Sequence, residues 1–361
     1  MSNPPDLLDL NRQELTAIMR ELGEPDYRAR QVWRWMYQRG VLDPETMSDL
    51  PATLRTSLAQ RLQQPANPVS IQNSADASTT KALLPLADGE LVETVLIRHD
   101  PHEHASPRLR RTVCISSQAG CAMGCVFCAT GLQGFRRQLT VAEMLRQVIL
   151  ARGWARDEGD DLTHAVFMGM GEPLANYAAV SSALERLSDP DGFALSPRRI
   201  TVSTVGLPQQ MRRLAADHPQ VNLAVSLHSP DPVLRRELVP VPGASVDEIV
   251  EAARDHSEST GRRVTFEYVL LRGTNDSGDH ARRLARRLRG LRAQVNLIPM
   301  NPSAGVFGER PSRRATLNFQ QTLVAAGIPT NVRVEKGRDI AAACGQLRGD
   351  RLRRQTGSGE P

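Results

Sequence analysis

Between residues 111 and 326 the sequence alternates six times between a short apolar run and a longer stretch with helical spacing. The apolar runs are TVCISS, HAVFMGM, RITVSTV, VNLAVSL, RVTFEYVLL and AQVNLIP, and the helical stretches cover residues 140–152, 177–187, 208–216, 246–258, 279–288 and 313–326. Such alternation predicts an α/β fold with a parallel sheet. Six repeats fall short of the eight that close a TIM barrel, so we expect an open, partial (β/α)6 barrel.

Two further regions precede this alternation. A small helical domain is predicted for residues 1–63, because Asn11 and Glu14 form a capping-box pattern ahead of apolar residues at helical spacing. Residues 64–105 are predicted to be an extension that begins with a linker or a weak edge strand over residues 64–80. A β-hairpin follows, in which LLPLADGELVETVLI contains an Asp-Gly turn. The barrel would then cover residues 106–349, and the basic tail, residues 350–361, is expected to be disordered.

The N-terminal sequence MSNPPDLLDLN is polar and acidic, without the basic and apolar segments of a secretory signal. No apolar run approaches the length of a membrane span. We therefore expect a cytoplasmic protein. The formal net charge is +5, and nearly all 45 basic residues are arginines, with lysine only at Lys81 and Lys336. Arginine makes planar two-point contacts with phosphate, so this composition is compatible with an RNA partner without requiring one.

The chain has five cysteines, an odd number that argues against a structural disulfide framework and for metal or redox chemistry. Three of them, Cys121, Cys125 and Cys128, lie in GCAMGCVFCATG, directly after the first predicted barrel strand. A structural zinc site takes four protein ligands, and no second cysteine pair is present. Three thiolates can instead hold a [4Fe–4S] cluster and leave one iron open to a ligand. We predict such a cluster, with a zinc site as the alternative.

The cysteine spacing, with Phe127 before the last cysteine, resembles the signature of the radical S-adenosylmethionine (SAM) superfamily. Polar residues also follow other predicted strands. They are Glu172 after the second strand, Ser203 at the third, Ser226 and His228 at the fourth, and Asn301 after the sixth. The carboxyl ends of barrel strands meet at one face, so we expect a shared pocket there. The glycines of MGMGEP would allow close approach of a ligand, and the carboxylate of Glu172 could receive an ammonium group.

A closer resemblance extends from about residue 90 to residue 350. It is carried by CISSQAGCAMGCVFCATGLQGFRRQLT, FMGMGEPLANY, ITVSTVG, AVSLHSP, NLIPMNP and RDIAAACGQL. Together these motifs are similar to those of the RlmN family, the RNA adenine-C2 methyltransferases. The N-terminal region resembles the helix-hairpin-helix-like accessory domain of that family. Met300 and Lys336 depart from the family pattern, which often has an aromatic residue and an arginine at these positions.

The resemblance implies a role for each motif residue. The cluster ligands would be Cys121, Cys125 and Cys128. The residues that contact SAM would be Gly171, Glu172, Ser203, Ser226, Leu227, His228 and Asn301. The catalytic residues would be the methyl carrier Cys344, its disulfide partner Cys114 and the proton acceptor Glu93. From the residues alone, Glu93 is a lone carboxylate in an apolar strand, for which a solvent-facing position is the alternative.

The implied activity is methylation of carbon 2 of an adenosine in 23S rRNA, near the peptidyl-transferase centre, and of adenosine 37 in tRNAs. Carbon 2 lies between two ring nitrogens and is electron-poor, so radical addition replaces polar transfer, with two SAM molecules consumed per turnover. The resemblance also implies an electron donor such as flavodoxin or ferredoxin, and we expect a monomer. The alternatives are the related carbon-8 adenosine methyltransferase of 23S rRNA, a non-enzymatic zinc-dependent RNA-binding protein, and a radical SAM enzyme with another substrate.

Overall fold

The computed structural model describes residues 6–61, 67–99, 109–240, 243–334 and 336–347 of the 361-residue chain. The predicted tail, residues 350–361, lies outside these ranges, as does the predicted boundary at residue 105. The strands are β1 (Ser70–Asn73), β2 (Thr79–Pro85), β3 (Leu91–His99), β4 (Arg110–Cys114), β5 (Gln118–Gly120), β6 (Phe135–Gln138), β7 (His164–Phe167), β8 (Ile200–Thr204), β9 (Asn222–Ser226), β10 (Val264–Leu270), β11 (Ala293–Pro299) and β12 (Thr330–Val332).

Ten of these strands form one sheet in the order β1-β2-β3-β4-β7-β8-β9-β10-β11-β12, and β5 pairs with β6 in a separate hairpin. From β4 to β12 every neighbouring pair is parallel. The pairs among β1, β2, β3 and β4 are antiparallel. Among the described residues β1 and β12 form the two edges of this sheet, which is therefore open.

The helices are α1 (Arg12–Glu21), α2 (Tyr27–Arg34), α3 (Ala52–Ala59), α4 (Ala129–Leu132), α5 (Val141–Asp157), α6 (Tyr177–Ser188), α7 (Pro208–Asp217), α8 (Pro232–Leu238), α9 (Val246–Thr260), α10 (Gly278–Arg287) and α11 (Arg313–Ala325). The six predicted repeats correspond to β4 with α5, β7 with α6, β8 with α7, β9 with α9, β10 with α10, and β11 with α11. The predicted α/β class is thus confirmed. Strand β12 and helix α8 were missed because both are short. No helix in the described ranges has the length and apolar character needed to cross a bilayer.

The two faces of a parallel strand have different surroundings, as β10 illustrates. Phe266 and Tyr268 are fully buried, and the Tyr268 ring centroid lies 5.1 Å from that of Phe319 on α11. Successive side chains of a strand point to opposite faces. Glu267, which lies between these two residues, therefore points away from the helix layer.

The N-terminal helices follow the predicted pattern closely. The Asn11 side chain accepts a hydrogen bond from the Glu14 N–H at 2.9 Å, and the Glu14 carboxylate accepts one from the Asn11 N–H at 2.7 Å, so the capping box is confirmed. The second helix of this region, α2, continues into a π-helical turn, Trp35–Arg39. The region docks on the segment after α6, where Arg34 forms an ion pair with Asp191 at 2.7 Å.

The predicted hairpin is formed by β2 and β3, and Gly89 in its turn has a φ of 85°. Its register has a consequence that the sequence did not predict. Lys81 pairs with Val95, and Val95 pairs with Cys114 on β4, so all three side chains share one face. Glu93, two residues before Val95, lies on that face as well.

Candidate active site

A cavity with an empty volume of about 930 Å³ opens at the carboxyl ends of the parallel strands. Ten of the predicted site residues line it, and they are Cys121, Cys125, Cys128, Gly171, Glu172, Ser203, Ser226, His228, Asn301 and Cys344. The side chain of Leu227 is instead fully buried in the core, and the Leu227 N–H donates to the Glu267 carbonyl at 3.1 Å. Cys114 and Glu93 also lie outside the lining of this cavity.

The three motif cysteines lie on a loop between β5 and α4, which we call the cysteine loop (residues 121–128). At its start the chain passes so close to Gly134 that a Cβ on Gly120 would lie 1.9 Å from the Gly134 carbonyl oxygen. The Cys121 N–H donates to the same oxygen at 3.0 Å. Further along, the Val126 N–H donates to the Leu238 carbonyl of α8 at 3.1 Å. Backbone contacts on both sides therefore hold the loop in place.

Gly120→Ala should displace the cysteine loop and lower the free energy of unfolding by about 3 kcal/mol or more, because the new methyl group overlaps a backbone oxygen. Gly134→Ala is the matched control. Gly134 has a similar φ of 71°, but its Cβ would meet nothing within 4 Å. It should cost only about 1 kcal/mol of backbone strain. Urea unfolding and iron content after reconstitution measure both effects, and equal losses in the two variants would contradict this explanation.

The cysteine loop suits an iron–sulfur cluster chemically. Burial raises the pKa of the Cys121 thiol to about 12, and it raises the pKa of Cys125 well above its usual value. A bound cation would stabilise the thiolates that burial disfavours. In the described part of the chain no three His, Cys, Asp or Glu side chains converge as the ligands of a single metal ion would. A cluster does not require such convergence, since each thiolate binds a different iron.

The MGMGEP segment packs tightly against the chain that follows β4. A Cβ on Gly169 would lie 2.8 Å from the Ile115 carbonyl oxygen, and one on Gly171, where φ is 103°, would lie 2.8 Å from the Gln118 nitrogen. Packing within the protein is thus one reason for glycine at both positions, beside the predicted approach of a ligand. It brings the next residue, Glu172, to the wall of the cavity.

Glu172 is 2% exposed, and its two carboxylate oxygens accept the N–H groups of Val205 at 2.8 Å and Leu174 at 3.0 Å. Burial raises the pKa of this carboxyl group to about 7. An ammonium group bound in the cavity would favour the ionised form and lower that pKa again. The site is therefore chemically able to receive the amino group predicted from sequence.

His228 presents a neutral imidazole to the cavity. Its Nδ1 accepts the Val269 N–H at 3.1 Å, so the proton of the neutral ring lies on Nε2, which is available as a donor. Burial lowers the pKa of His228 to about 3. The residue has a φ of 62°, a conformation that costs a non-glycine residue about 1–3 kcal/mol and is concentrated at functional sites.

Cys344 lies on a loop that we call the Cys344 loop (residues 336–347). The Ala129 N–H, one residue after Cys128, donates to the Gly345 carbonyl at 2.8 Å. The Asn301 side-chain amide lies 3.4 Å from the carbonyl oxygen of Cys344 itself. The loop is therefore attached both to the end of the cysteine loop and to the segment after β11.

A second cavity, with an empty volume of about 510 Å³, shares Cys344 with the first and is also lined by Cys114. Cys114 is buried at the end of β4, and burial raises the pKa of its thiol to about 12, with a smaller contribution from the charge of Cys344. Met168 and Arg333 line both cavities as well. Cys344 thus borders the cavity of the three motif cysteines on one side and the cavity of Cys114 on the other.

The alternative of a solvent-facing Glu93 is wrong, and its carboxylate is paired with a charged group. Glu93 is 4% exposed, and its Oε1 lies 2.8 Å from the Nζ of Lys81. Lys81 also donates to the Ala341 carbonyl of the Cys344 loop at 3.3 Å. Across β3 and β4, Glu93 is the diagonal neighbour of Cys114 on the shared face.

Lys81→Met should lower the free energy of unfolding by about 3–5 kcal/mol, because it removes the cation that is paired with the buried Glu93 carboxylate. The matched variant Lys81→Met/Glu93→Met removes both charges and should recover most of that loss. Urea unfolding of these two variants, of the single variant Glu93→Met and of the unchanged protein measures the effect. If the double variant is as unstable as the sum of its single changes, the buried ion pair does not have the energetic role assigned to it.

Sequence reasoning missed two charged residues of the larger cavity, Glu267 and Arg333. Glu267 could have been found, since a carboxylate interrupts the apolar run VTFEYVLL. Arg333 follows the short strand β12, whose three residues leave too little pattern to detect.

Comparison with known proteins agrees with this geometry. Residues 5–63 match the ribosomal RNA large subunit methyltransferase N-terminal domain, and residues 115–285 match the radical SAM superfamily. The second match includes the cysteine loop and the strands β7 to β10. The fold and the matched region together define a radical SAM enzyme, a class that uses a [4Fe–4S] cluster and SAM.

The relatives narrow the class further. Ribosomal RNA large subunit methyltransferase N of Nitrosopumilus maritimus is 44% identical over 348 residues, which cover 96% of this chain and 99% of that protein. The probable dual-specificity RNA methyltransferase RlmN of Rhodopirellula baltica is 45% identical, with 96% and 91% covered. A crystal structure of a radical SAM methyltransferase from Sphaerobacter thermophilus matches with a TM-score of 0.90 at 46% identity, covering 96% of this chain and 100% of that one. The chain belongs to the RlmN family of radical SAM RNA methyltransferases, as its motifs predicted.

Proposed function

We propose that this chain methylates carbon 2 of an adenosine in 23S rRNA, near the peptidyl-transferase centre, and of adenosine 37 in tRNAs. The relatives carry the names ribosomal RNA large subunit methyltransferase and dual-specificity RNA methyltransferase, which supports ribosomal RNA as a substrate and a second RNA target beside it. The observation that carries the proposal is the position of Cys344 between the two cavities. A methyl carrier must take its methyl group in the cavity that binds SAM, and its sulfur must later be attacked by a second thiol. A position between the two cavities allows both steps.

The proposed cluster ligands are Cys121, Cys125 and Cys128, and the proposed SAM contacts are Gly171, Glu172, Ser203, Ser226, Leu227, His228 and Asn301. Leu227 would contribute through its backbone, since its side chain faces the core. When bound, the reduced cluster and SAM supply a 5′-deoxyadenosyl radical that can remove hydrogen from a methyl group. We also propose a monomer that receives its electron from a flavodoxin or ferredoxin.

The remaining chemistry belongs to three residues of this chain. The thiolate of Cys344 takes a methyl group from one SAM molecule and becomes a thioether. The methyl group of this thioether then loses one hydrogen atom. Its carbon bonds to carbon 2 of the adenine. The adduct then loses a proton, which Glu93 accepts, and one electron, for which the oxidised iron–sulfur cluster would be the acceptor. The Cys114 thiolate attacks the Cys344 sulfur, so an S–S bond forms and the S–C bond breaks. The electron pair left on carbon takes up a proton, and the methyl group is complete.

The test is anaerobic incubation of reconstituted protein with SAM, a reductant and either rRNA or tRNA. We expect 2-methyladenosine in both RNAs after digestion and chromatography, with one 5′-deoxyadenosine and one S-adenosylhomocysteine formed per methyl group. Formation of 8-methyladenosine would identify the carbon-8 enzyme instead. A colourless preparation with stoichiometric zinc, lacking iron and sulfide, would favour the non-enzymatic RNA-binding protein. Methylation of rRNA without tRNA would remove the second substrate class.

A further inference from the structure

Glu267 is a buried carboxylate that no role assigned so far uses. It lies in the middle of β10, where the register places it between Ser226 of β9 and Asn296 of β11. Its side chain lines the larger cavity, although the residue is only 4% exposed. The Oε1 atom accepts a hydrogen bond from the Asn296 amide at 3.0 Å. The Oε2 atom has no hydrogen-bond partner among the described residues.

A buried carboxylate oxygen without a hydrogen-bond partner lowers the stability of the fold. Burial raises the pKa of the Glu267 carboxyl group, which reflects the cost of keeping a charge away from water. Buried polar atoms are almost always hydrogen-bonded, and exceptions in native structures call for a specific reason. Since the side chain lines the cavity and points away from the helix layer, Oε2 could accept a hydrogen bond from a ligand bound there.

The two buried carboxylates of the cavity lie in different electrostatic surroundings. The charge of Glu172 contributes to the raised pKa of Cys121 and Cys125, so Glu172 lies near the cysteine loop. Glu267 is instead influenced by Arg333, the arginine that also lines the cavity of Cys114. The two carboxylates therefore have different charged neighbours, the cysteine loop for Glu172 and Arg333 for Glu267.

SAM has two groups that suit two such carboxylates. Its ammonium group belongs to the methionine end, which would lie near the cluster and Glu172. Its ribose carries two adjacent hydroxyl groups, which are hydrogen-bond donors that a carboxylate accepts well, as acidic residues do in dinucleotide-binding folds. The strand neighbour of Glu267, Ser226, is itself a proposed SAM contact.

We propose that Glu267 is a SAM-binding residue whose free Oε2 accepts hydrogen bonds from the ribose hydroxyl groups, with Asn296 as the residue that orients it. This inference rests on the proposed SAM site of the enzyme. It adds a charged contact on β10 to the contacts that sequence motifs identified.

The test is calorimetric titration of reconstituted protein with SAM and with its 2′-deoxy and 3′-deoxy analogues. Glu267→Gln should weaken SAM binding about tenfold or more, as expected for a charge-assisted hydrogen bond. Because the Asn296 amide donates to Oε1, the glutamine carbonyl would face Asn296 and its amide nitrogen would face the cavity, where it cannot accept. At least one deoxy analogue should bind the unchanged protein less tightly than SAM does, by a similar factor. The same analogue should bind Glu267→Gln about as tightly as SAM binds that variant.

Two controls separate this role from a structural one. Glu251→Gln removes an exposed carboxylate from α9 and should leave SAM affinity unchanged. Without SAM, Glu267→Gln should keep or raise the melting temperature, since it removes an unsatisfied buried charge, whereas a structural role predicts a lower one. The inference is wrong if Glu267→Gln binds SAM within twofold as tightly as the unchanged protein. It is also wrong if, with both deoxy analogues, removing the ribose hydroxyl group weakens binding to Glu267→Gln as much as it weakens binding to the unchanged protein. Neither result would affect the proposed function. Unchanged protein that binds no SAM would overturn the proposed function with it.

Discussion

Cys344→Ala should lower the yield of methylated adenosine by at least about a thousandfold, because in the proposed mechanism Cys344 carries the methyl group from SAM to the base. The variant should still form 5′-deoxyadenosine from SAM, since the cysteine loop and the SAM contacts are unchanged. Cys344 is bordered by both cavities. The Asn301 side-chain amide contacts the Cys344 carbonyl, and the Ala129 N–H donates to the carbonyl of the next residue, Gly345. The loss would therefore be chemical, without displacement of the loop.

The measurement is mass spectrometry of digested RNA for the methyl group, with chromatography of 5′-deoxyadenosine in the same reaction. A matched control is Ala343→Gly, which changes the neighbouring side chain on the Cys344 loop and keeps the thiol. It should retain most of the activity. If Cys344→Ala still yields methylated adenosine at a tenth of the normal rate, the role of methyl carrier is refuted.

Cys114→Ala should accumulate a covalent complex between the protein and RNA and should release almost no methylated product. Cys114 lines the second cavity together with Cys344, and its alanine variant leaves the S–C bond of the adduct intact. A denaturing gel with labelled RNA detects the complex as a shifted band. Free, fully turned-over RNA from this variant would show that Cys114 does not resolve the adduct.

The same step should depend on pH in the unchanged protein. Burial raises the pKa of the Cys114 thiol to about 12, so the thiol is almost entirely protonated at neutral pH. Below that pKa the thiolate fraction rises about tenfold per pH unit, and resolution of a preformed adduct should accelerate accordingly between pH 7 and pH 9. A single-turnover chase of isolated adduct measures this rate. A rate independent of pH would mean that thiolate formation does not limit resolution.

Part of the active site was readable from local sequence. Cys121, Cys125 and Cys128 lie within eight residues, so their spacing alone carried the prediction of a shared ligand set. The strand-end residues, such as Ser203 and Ser226, followed from the alternation, because a parallel barrel brings the ends of its strands together. These predictions needed only the cysteine spacing, the periodicity of the apolar residues and the rule that parallel strands end at the same face of a barrel.

Other parts depended on contacts that periodicity does not encode. In the sequence Glu93 is a lone carboxylate, because its partner Lys81 lies across a hairpin whose register is set by hydrogen bonds between strands. The free oxygen of Glu267 became visible only with the positions of Asn296 and of the cavity. Leu227 was placed among ligand contacts by its motif, whereas its side chain faces the core.

By itself, the sequence determined the open parallel α/β architecture and the cluster-type cysteine spacing, since both are patterns within short segments. Tertiary structure alone decided that Cys114 and Cys344, about 230 residues apart in sequence, meet at one small cavity. It also decided that the antiparallel extension continues the barrel sheet and places Glu93 beside Cys114. The physical reason is that strand register and loop anchoring arise from hydrogen bonds between distant segments, and these form only when the whole sheet is assembled.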